Sequence, residues 1–138
     1  MTAILPPPSA WQPTIDSNAD LFSDLDDGAR IGIARRVDVN QPGALMVVWE
    51  AADGILTARE RPFSGYRDAE VDVLLVADDE ALDSLSGQLA ADALPAVKQL
   101  VRRGNIVCYV LKRRCALIAA GYEDVLDTIG VPFMGACR

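Results

Sequence analysis

The side chains that most often carry out acid–base or nucleophilic chemistry are scarce in this chain. It contains no histidine, which removes imidazole metal ligands, Ser–His and Cys–His pairs and the usual general base. Its three cysteines, Cys108, Cys115 and Cys137, have no paired spacing and cannot form a four-ligand zinc site alone. There is no glycine-rich phosphate loop and no nucleophile elbow. The sequence therefore predicts no catalytic residue, no metal site and no cofactor.

Carboxylates are the groups that remain for catalysis. Glu60, Asp72 or Asp78, acting with Arg35, would suit a small enzyme if a concave pocket held one of them. Arg35 and Glu60 also fall on one face of neighbouring predicted strands, beside Trp49, where they would form a small polar pocket. The alternative places both side chains at a bulge or at the sheet rim, in water, and we favour it.

Trp49 and Glu60 belong to a predicted antiparallel hairpin, residues 44–62, and Arg35 to the predicted strand before it. Apolar residues alternate along both arms, and Asp53-Gly54 is typical of a two-residue primed turn. That turn sets the register of the hairpin, in which the facing pairs are Ala51 with Leu56, Trp49 with Ala58 and Val47 with Glu60.

Residues 70–111 predict a strand, two helices and a second strand. The first strand, 71–77, has β-branched residues at period two, and carboxylates follow it as a helix cap. The second helix starts near Leu94 and ends at Gly104. The last strand, 105–111, is apolar on both faces, which predicts a central strand. The spacing leaves parallel and antiparallel placement of the two strands open.

The fold class that follows is α+β. A mixed or antiparallel sheet with the hairpin joins the crossover unit and a short C-terminal helix at 122–129. The pattern of residues 115–120 leaves strand and helix open, and we favour a strand because Gly121 ends it; residues 131–134 could form an edge strand. We expect a single α+β domain over residues 30–138.

Residues 1–29 are predicted to form an extended, proline-rich arm and a short acidic segment. Prolines favour the polyproline form, yet the arm also carries apolar residues that a solvated tail lacks. The arm is either a disordered terminus, a segment that lies on its own domain, or a segment that docks on a partner. The predicted partner-binding residues are Ile4, Leu5, Pro7, Trp11, Ile15 and Phe22 of the arm, with Phe63, Tyr66 and Phe133 elsewhere.

The charge of the chain is uneven. The net charge is −7, with −10 over residues 1–101 and +3 over residues 102–138. This balance disfavours nucleic-acid and membrane binding, which need a broad positive surface. No basic region precedes an apolar run at the N-terminus, so we expect no signal peptide and a cytoplasmic or particle-bound protein. The three cysteines have no paired spacing, which predicts free thiols in a reducing compartment.

The leading hypothesis is a non-enzymatic structural or interaction subunit of a larger protein assembly. Such a subunit, of a homo-oligomer or a virion-type particle, would dock through its N-terminal arm. One alternative is an acidic inhibitor that mimics nucleic acid with the carboxylates of residues 16–27 and 68–83. The other alternative is the small carboxylate-dependent enzyme described above.

Overall fold

The computed structural model describes residues 4–39, 41, 43–66, 68–89 and 92–131. Over these residues the fold is α+β, as predicted, with a mixed sheet and several helices. The strands are β1 (Arg30–Arg35), β2 (Leu45–Ala52), β3 (Ile55–Pro62), β4 (Val73–Ala77) and β5 (Ile106–Val110). The helices are α1 (Pro8–Ser17), α2 (Ala19–Phe22), α3 (Asp79–Ser86), α4 (Leu94–Arg103), α5 (Arg114–Ala119) and α6 (Glu123–Thr128), with a 3-10 turn at Arg36–Asp38.

The predicted hairpin is confirmed in both extent and register. β2 and β3 pair antiparallel, and the facing pairs include Ala51 with Leu56 and Trp49 with Ala58. The turn residue Asp53 has a φ of 54° and Gly54 a φ of 77°. Those positive φ values are what a primed turn requires, so local turn chemistry fixes the register of the hairpin.

The sheet runs in the order β3-β2-β1-β4-β5 among the described strands. β1 pairs parallel with β4, and β4 pairs antiparallel with β5. The antiparallel option for the crossover unit is therefore the one adopted. The prediction that residues 105–111 form a central strand is wrong, because β5 is at the edge of this sheet and exposes Val107, Tyr109 and Val110.

The two helices of the crossover unit begin and end at the predicted signals. The Asp78 carboxylate accepts a hydrogen bond from the Ala81 N–H at 2.8 Å, which caps α3. Pro95 lies in the first turn of α4, and Gly104, with a left-handed φ of 84°, ends it.

Two apolar clusters lie on opposite faces of the sheet. The larger cluster contains the buried side chains of the helices together with one face of the strands, among them Trp49, Val73 and Leu75. On the other face, Leu74 and Val76 of β4 pack under Phe63 and the loop that follows β3. β4 is thus buried on both faces, and the helices cover only one side of the sheet.

Two elements differ from their predictions. Residues 8–17 form a helix rather than an extended segment, because Pro8 occupies the first helical position, which needs no N–H. Trp11 and Ile15, four residues apart, then share the inward face of that helix. Residues 115–120 lie mostly in α5 rather than in a strand, since their alanines favour a helix and Leu117 reaches the core.

The cysteines also differ in part from the prediction. Cys108 is a free thiol on β5, and burial raises its pKa to about 11. Cys115 is disulfide-bonded, so the prediction of a free thiol is wrong at that position. The predicted edge strand at 131–134 lies outside the described residues from Pro132 onward.

Candidate functional site

The apolar residues of the predicted arm mostly face the chain's own core. Trp11, Ile15 and Phe22 are buried, and the Trp11 indole N–H donates to the Pro6 carbonyl at 3.0 Å. The Trp11 and Trp49 ring centroids are 5.8 Å apart. Leu5 packs partly against the same core. Pro7 and Ile4 are exposed, and 81% of the Ile4 surface is accessible.

Polar side chains fasten α1 to its neighbours. The Gln12 amide donates to the Leu56 carbonyl and accepts from the Ala58 N–H, each at 3.1 Å, so it occupies the outer edge of β3. The Thr14 hydroxyl accepts from the Ala93 N–H at 3.1 Å, just before α4. These hydrogen bonds fix the position of α1 beside β3 and α4, and the outward face of α1 makes none of them.

Two of the predicted anchors outside the arm, Phe63 and Tyr66, lie on the opposite face of the sheet. Phe63 is buried in the second apolar cluster, whereas Tyr66 is half-exposed. The Tyr66 ring centroid lies 5.9 Å from that of Phe63 and 4.9 Å from that of Tyr109. Phe133 lies outside the described residues. Partner binding by any of these anchors stays a prediction.

The predicted polar pocket is only partly assembled. Arg35 donates to both carboxylate oxygens of Asp38, at 2.8 and 2.9 Å, and this bonding raises the pKa of Arg35. Arg35 and the exposed Glu60 line one surface cavity of about 400 Å³. Trp49 does not line that cavity; it is buried, and its indole N–H has no acceptor among the described residues.

The other two candidate carboxylates connect elements of the fold. Asp72 accepts from the Tyr122 hydroxyl at 2.7 Å and from the Arg30 N–H at 3.1 Å. Burial and this hydrogen bond raise the pKa of Tyr122 far above its usual range. Asp78, which caps α3, also accepts from the Asn105 amide at 2.9 Å. Both groups therefore already have structural partners.

An apolar groove lies on the outward face of α1. The exposed end of α3 and the segment before α1 form its walls, and its volume is about 470 Å³. The residues that line it are Ile4, Pro6, Pro7, Ala10, Pro13, Ser86 and Leu89. Because proline has no N–H, three of these residues offer no backbone donor, and Ser86 has the only polar side chain in that set.

The other large cavities have more polar walls. One of about 440 Å³ lies beside the loop after β3 and includes Gln41, Ser64 and two glycines. Another, of about 380 Å³, is lined mainly by polar and charged residues such as Asp92, Lys98 and Asp127. Of these cavities, the groove beside α1 has the most consistently apolar lining, and we take it as the candidate site.

Sequence reasoning pointed to the segment but not to the groove. Ile4 and Pro7 were among the predicted residues, whereas Pro6, Ala10, Pro13, Ser86 and Leu89 were missed. Pro8 was the available signal, because proline is favoured at the first position of a helix and so indicates a helix rather than an extended arm. The contribution of α3 depends on tertiary packing, and no local pattern gives it.

Metal ligation and membrane insertion find no support in the described part of the chain. No group of three or more Cys, Asp or Glu side chains is placed there to hold a metal ion. Over the same residues, no helix is both long enough and apolar enough to cross a bilayer.

Comparisons with known proteins give similar folds but no close relative. No family model and no curated protein matches the chain. A conserved hypothetical protein from Thermus thermophilus, described with the suggestion of a sterol carrier protein, is 15% identical, with a TM-score of 0.43, covering 95% of this chain and 88% of that one. A sterol carrier protein 2 is 17% identical, with a TM-score of 0.47 and 89% of both chains covered. The apo sterol carrier protein 2 from Yarrowia lipolytica is 10% identical, with a TM-score of 0.39, covering 90% and 85%. We assign no ligand or activity from likenesses this distant.

The function predicted from the sequence is wrong. The supposed docking arm is mainly a helix whose large side chains fill the chain's own core. The similar solved structures are described as sterol carrier proteins, not as virion or assembly subunits. The two alternatives, the acidic inhibitor and the carboxylate-dependent enzyme, are not supported either, and Asp72 and Asp78 both have structural roles.

Proposed function

We propose that this chain binds a small apolar molecule in the groove beside α1, without converting it chemically. The observation that carries the proposal is the groove itself, with its volume of about 470 Å³ and its almost wholly apolar lining. Ligand pockets commonly enclose about 300–1,000 Å³ and are lined mainly by apolar side chains. Size and chemistry therefore agree with a single small ligand.

The groove offers binding surface rather than reactive groups. The Ser86 hydroxyl, the only side-chain hydroxyl among the described lining residues, already donates to the Asp83 carbonyl at 2.9 Å. No carboxylate, amine or guanidinium belongs to that lining set. A bound molecule would thus meet apolar walls and one engaged hydroxyl, which favours retention over reaction.

The expected affinity follows from the apolar surface that a ligand would bury. Each buried methylene contributes about 0.8 kcal/mol, so an alkyl chain of about ten methylenes gains about 8 kcal/mol. That gain corresponds to a Kd of about 1 μM before ordering costs. Ordering costs weaken this affinity, so we expect a Kd above about 1 μM for medium-length alkyl chains, with a negative change in heat capacity.

Replacing Ser86 by phenylalanine tests the site. The new ring should fill part of the groove and displace about two methylenes of the ligand, which weakens binding about tenfold. Titration calorimetry with dodecan-1-ol measures the effect, and cholesterol is a second probe because the descriptions of the similar structures name a sterol.

Ser84→Phe is the matched control for this experiment. Ser84 is exposed on the same helix but does not line the groove. The control should bind like the unmodified chain. Equal binding by the Ser86→Phe variant, or no binding of either probe to the unmodified chain, would refute the proposal.

A further inference from the structure

A second cavity adjoins the apolar groove. The cavity that Arg35 and Glu60 line, of about 400 Å³, shares Ile4 with the groove. Ile4 is largely exposed where the two meet, and Leu5 continues into the second cavity. A molecule longer than the groove could therefore pass Ile4 and place one end among polar side chains.

The charges of this second cavity favour one kind of end group. Arg35 and Asp38 form an ion pair at 2.8 Å, so their charges largely cancel. Glu60 is exposed on β3, and its carboxylate has no side-chain partner among the described residues. Gln41 adds an amide to the same lining. The cavity thus presents one uncompensated negative charge, within a chain whose net charge is −7.

Resting on the proposed function, we infer that the ligand is a single-chain lipid with an ammonium head. The alkyl chain lies in the groove beside α1, and the head passes Ile4 to reach the Glu60 carboxylate. An anionic head meets repulsion from Glu60, while the Arg35 guanidinium is already bonded to Asp38. A neutral hydroxyl head falls between these two cases.

Three ligands with one alkyl chain and different heads test this inference. We expect dodecylamine, protonated at pH 7, to bind most tightly, dodecan-1-ol less tightly and dodecanoate least. An exposed ion pair is worth about a two- to fivefold change in affinity. At about 0.15 M salt the Debye length of the solution is about 8 Å, so calorimetry under this condition limits the contribution of distant charges.

Substitution of the carboxylate locates the head. Glu60→Gln should weaken dodecylamine binding about two- to fivefold and leave dodecan-1-ol binding unchanged. Glu123→Gln removes the same charge from an exposed position at the start of α6, outside both cavities, and should change neither.

The outcomes separate this inference from the proposed function. If the amine and the alcohol bind alike and Glu60→Gln has no effect, the ammonium head is wrong, while sensitivity of the alcohol to Ser86→Phe would keep the groove as the binding site. Tighter binding of dodecanoate would also overturn the ammonium head. If none of the three ligands binds, the inference and the proposed function both fail.

Discussion

Replacing Trp11 by alanine should lower the free energy of unfolding by about 3–5 kcal/mol, the usual cost of deleting a buried aromatic side chain. Trp11 is only 1% exposed and packs against Trp49 in the main cluster. Its indole N–H also bonds the Pro6 carbonyl, so the substitution removes a hydrogen bond that shapes the segment beside the groove. Urea unfolding monitored by circular dichroism measures the loss.

Ile4→Ala is the control on the same segment. Ile4 is 81% exposed, so its truncation should change the free energy of unfolding by less than about 0.5 kcal/mol. A loss below about 1 kcal/mol for Trp11→Ala would mean that the N-terminal helix is not part of the stable core, and the groove would then lack a wall.

Replacing Gly121 by alanine should cost about 2–5 kcal/mol. Gly121 has a φ of 90°, and a Cβ there would lie 2.0 Å from the Asp24 carbonyl oxygen. Left-handed backbone costs a non-glycine residue about 1–2 kcal/mol, and the steric clash adds about 1–3 kcal/mol. The neighbouring Asp26 N–H donates to the Ala120 carbonyl at 3.0 Å, so this contact joins the N-terminal segment to the turn after α5.

The Gly104→Ala variant separates the backbone penalty from the steric clash. Gly104 has a similar φ of 84°, but a Cβ there meets nothing within 4 Å. Its substitution should cost only the backbone penalty, about 1–2 kcal/mol, in the same thermal or urea unfolding experiment. Equal losses for the two variants would contradict the close approach of Gly121 to Asp24.

The features that sequence predicted correctly are those set by local chemistry. The primed turn at Asp53 and Gly54 fixes the hairpin register without help from the rest of the chain. The cap at Asp78 and the left-handed Gly104 likewise mark the ends of helices through bonds made within a few residues. Such signals act over one turn of backbone and can be read directly.

The features that sequence missed depend on packing between distant segments. β5 is apolar on both faces, which is typical of a central strand, yet the sheet order places it at an edge. The proline-rich N-terminus is typical of an extended segment, and although Pro8 can begin a helix, it is packing against the core that places Trp11 and Ile15 on its inward face. The groove needs both α1 and the end of α3, which are far apart in sequence, so no short window of sequence contains it.

The candidate polar pocket was predicted in part. Strand pairing placed Glu60 opposite Val47 correctly, and Arg35 does line a cavity with Glu60. Trp49, which the less favoured interpretation placed beside them, packs in the main core, and Asp38 from the 3-10 turn is a partner of Arg35. The short turn after β1 was not visible in the alternating pattern of residues 31–39.

Ligand binding in the groove beside α1 is tested most directly by a nuclear magnetic resonance titration of the labelled chain with dodecan-1-ol. We predict that the amide and methyl signals of Ile4, Ala10 and Leu89, and the amide signal of Ser86, shift together with one Kd above about 1 μM. Signals beside the 440 Å³ cavity, such as those of Ser64 and Gly65, should stay unchanged. Signal shifts centred on that cavity, or no saturable shift along the groove, would contradict ligand binding in the groove.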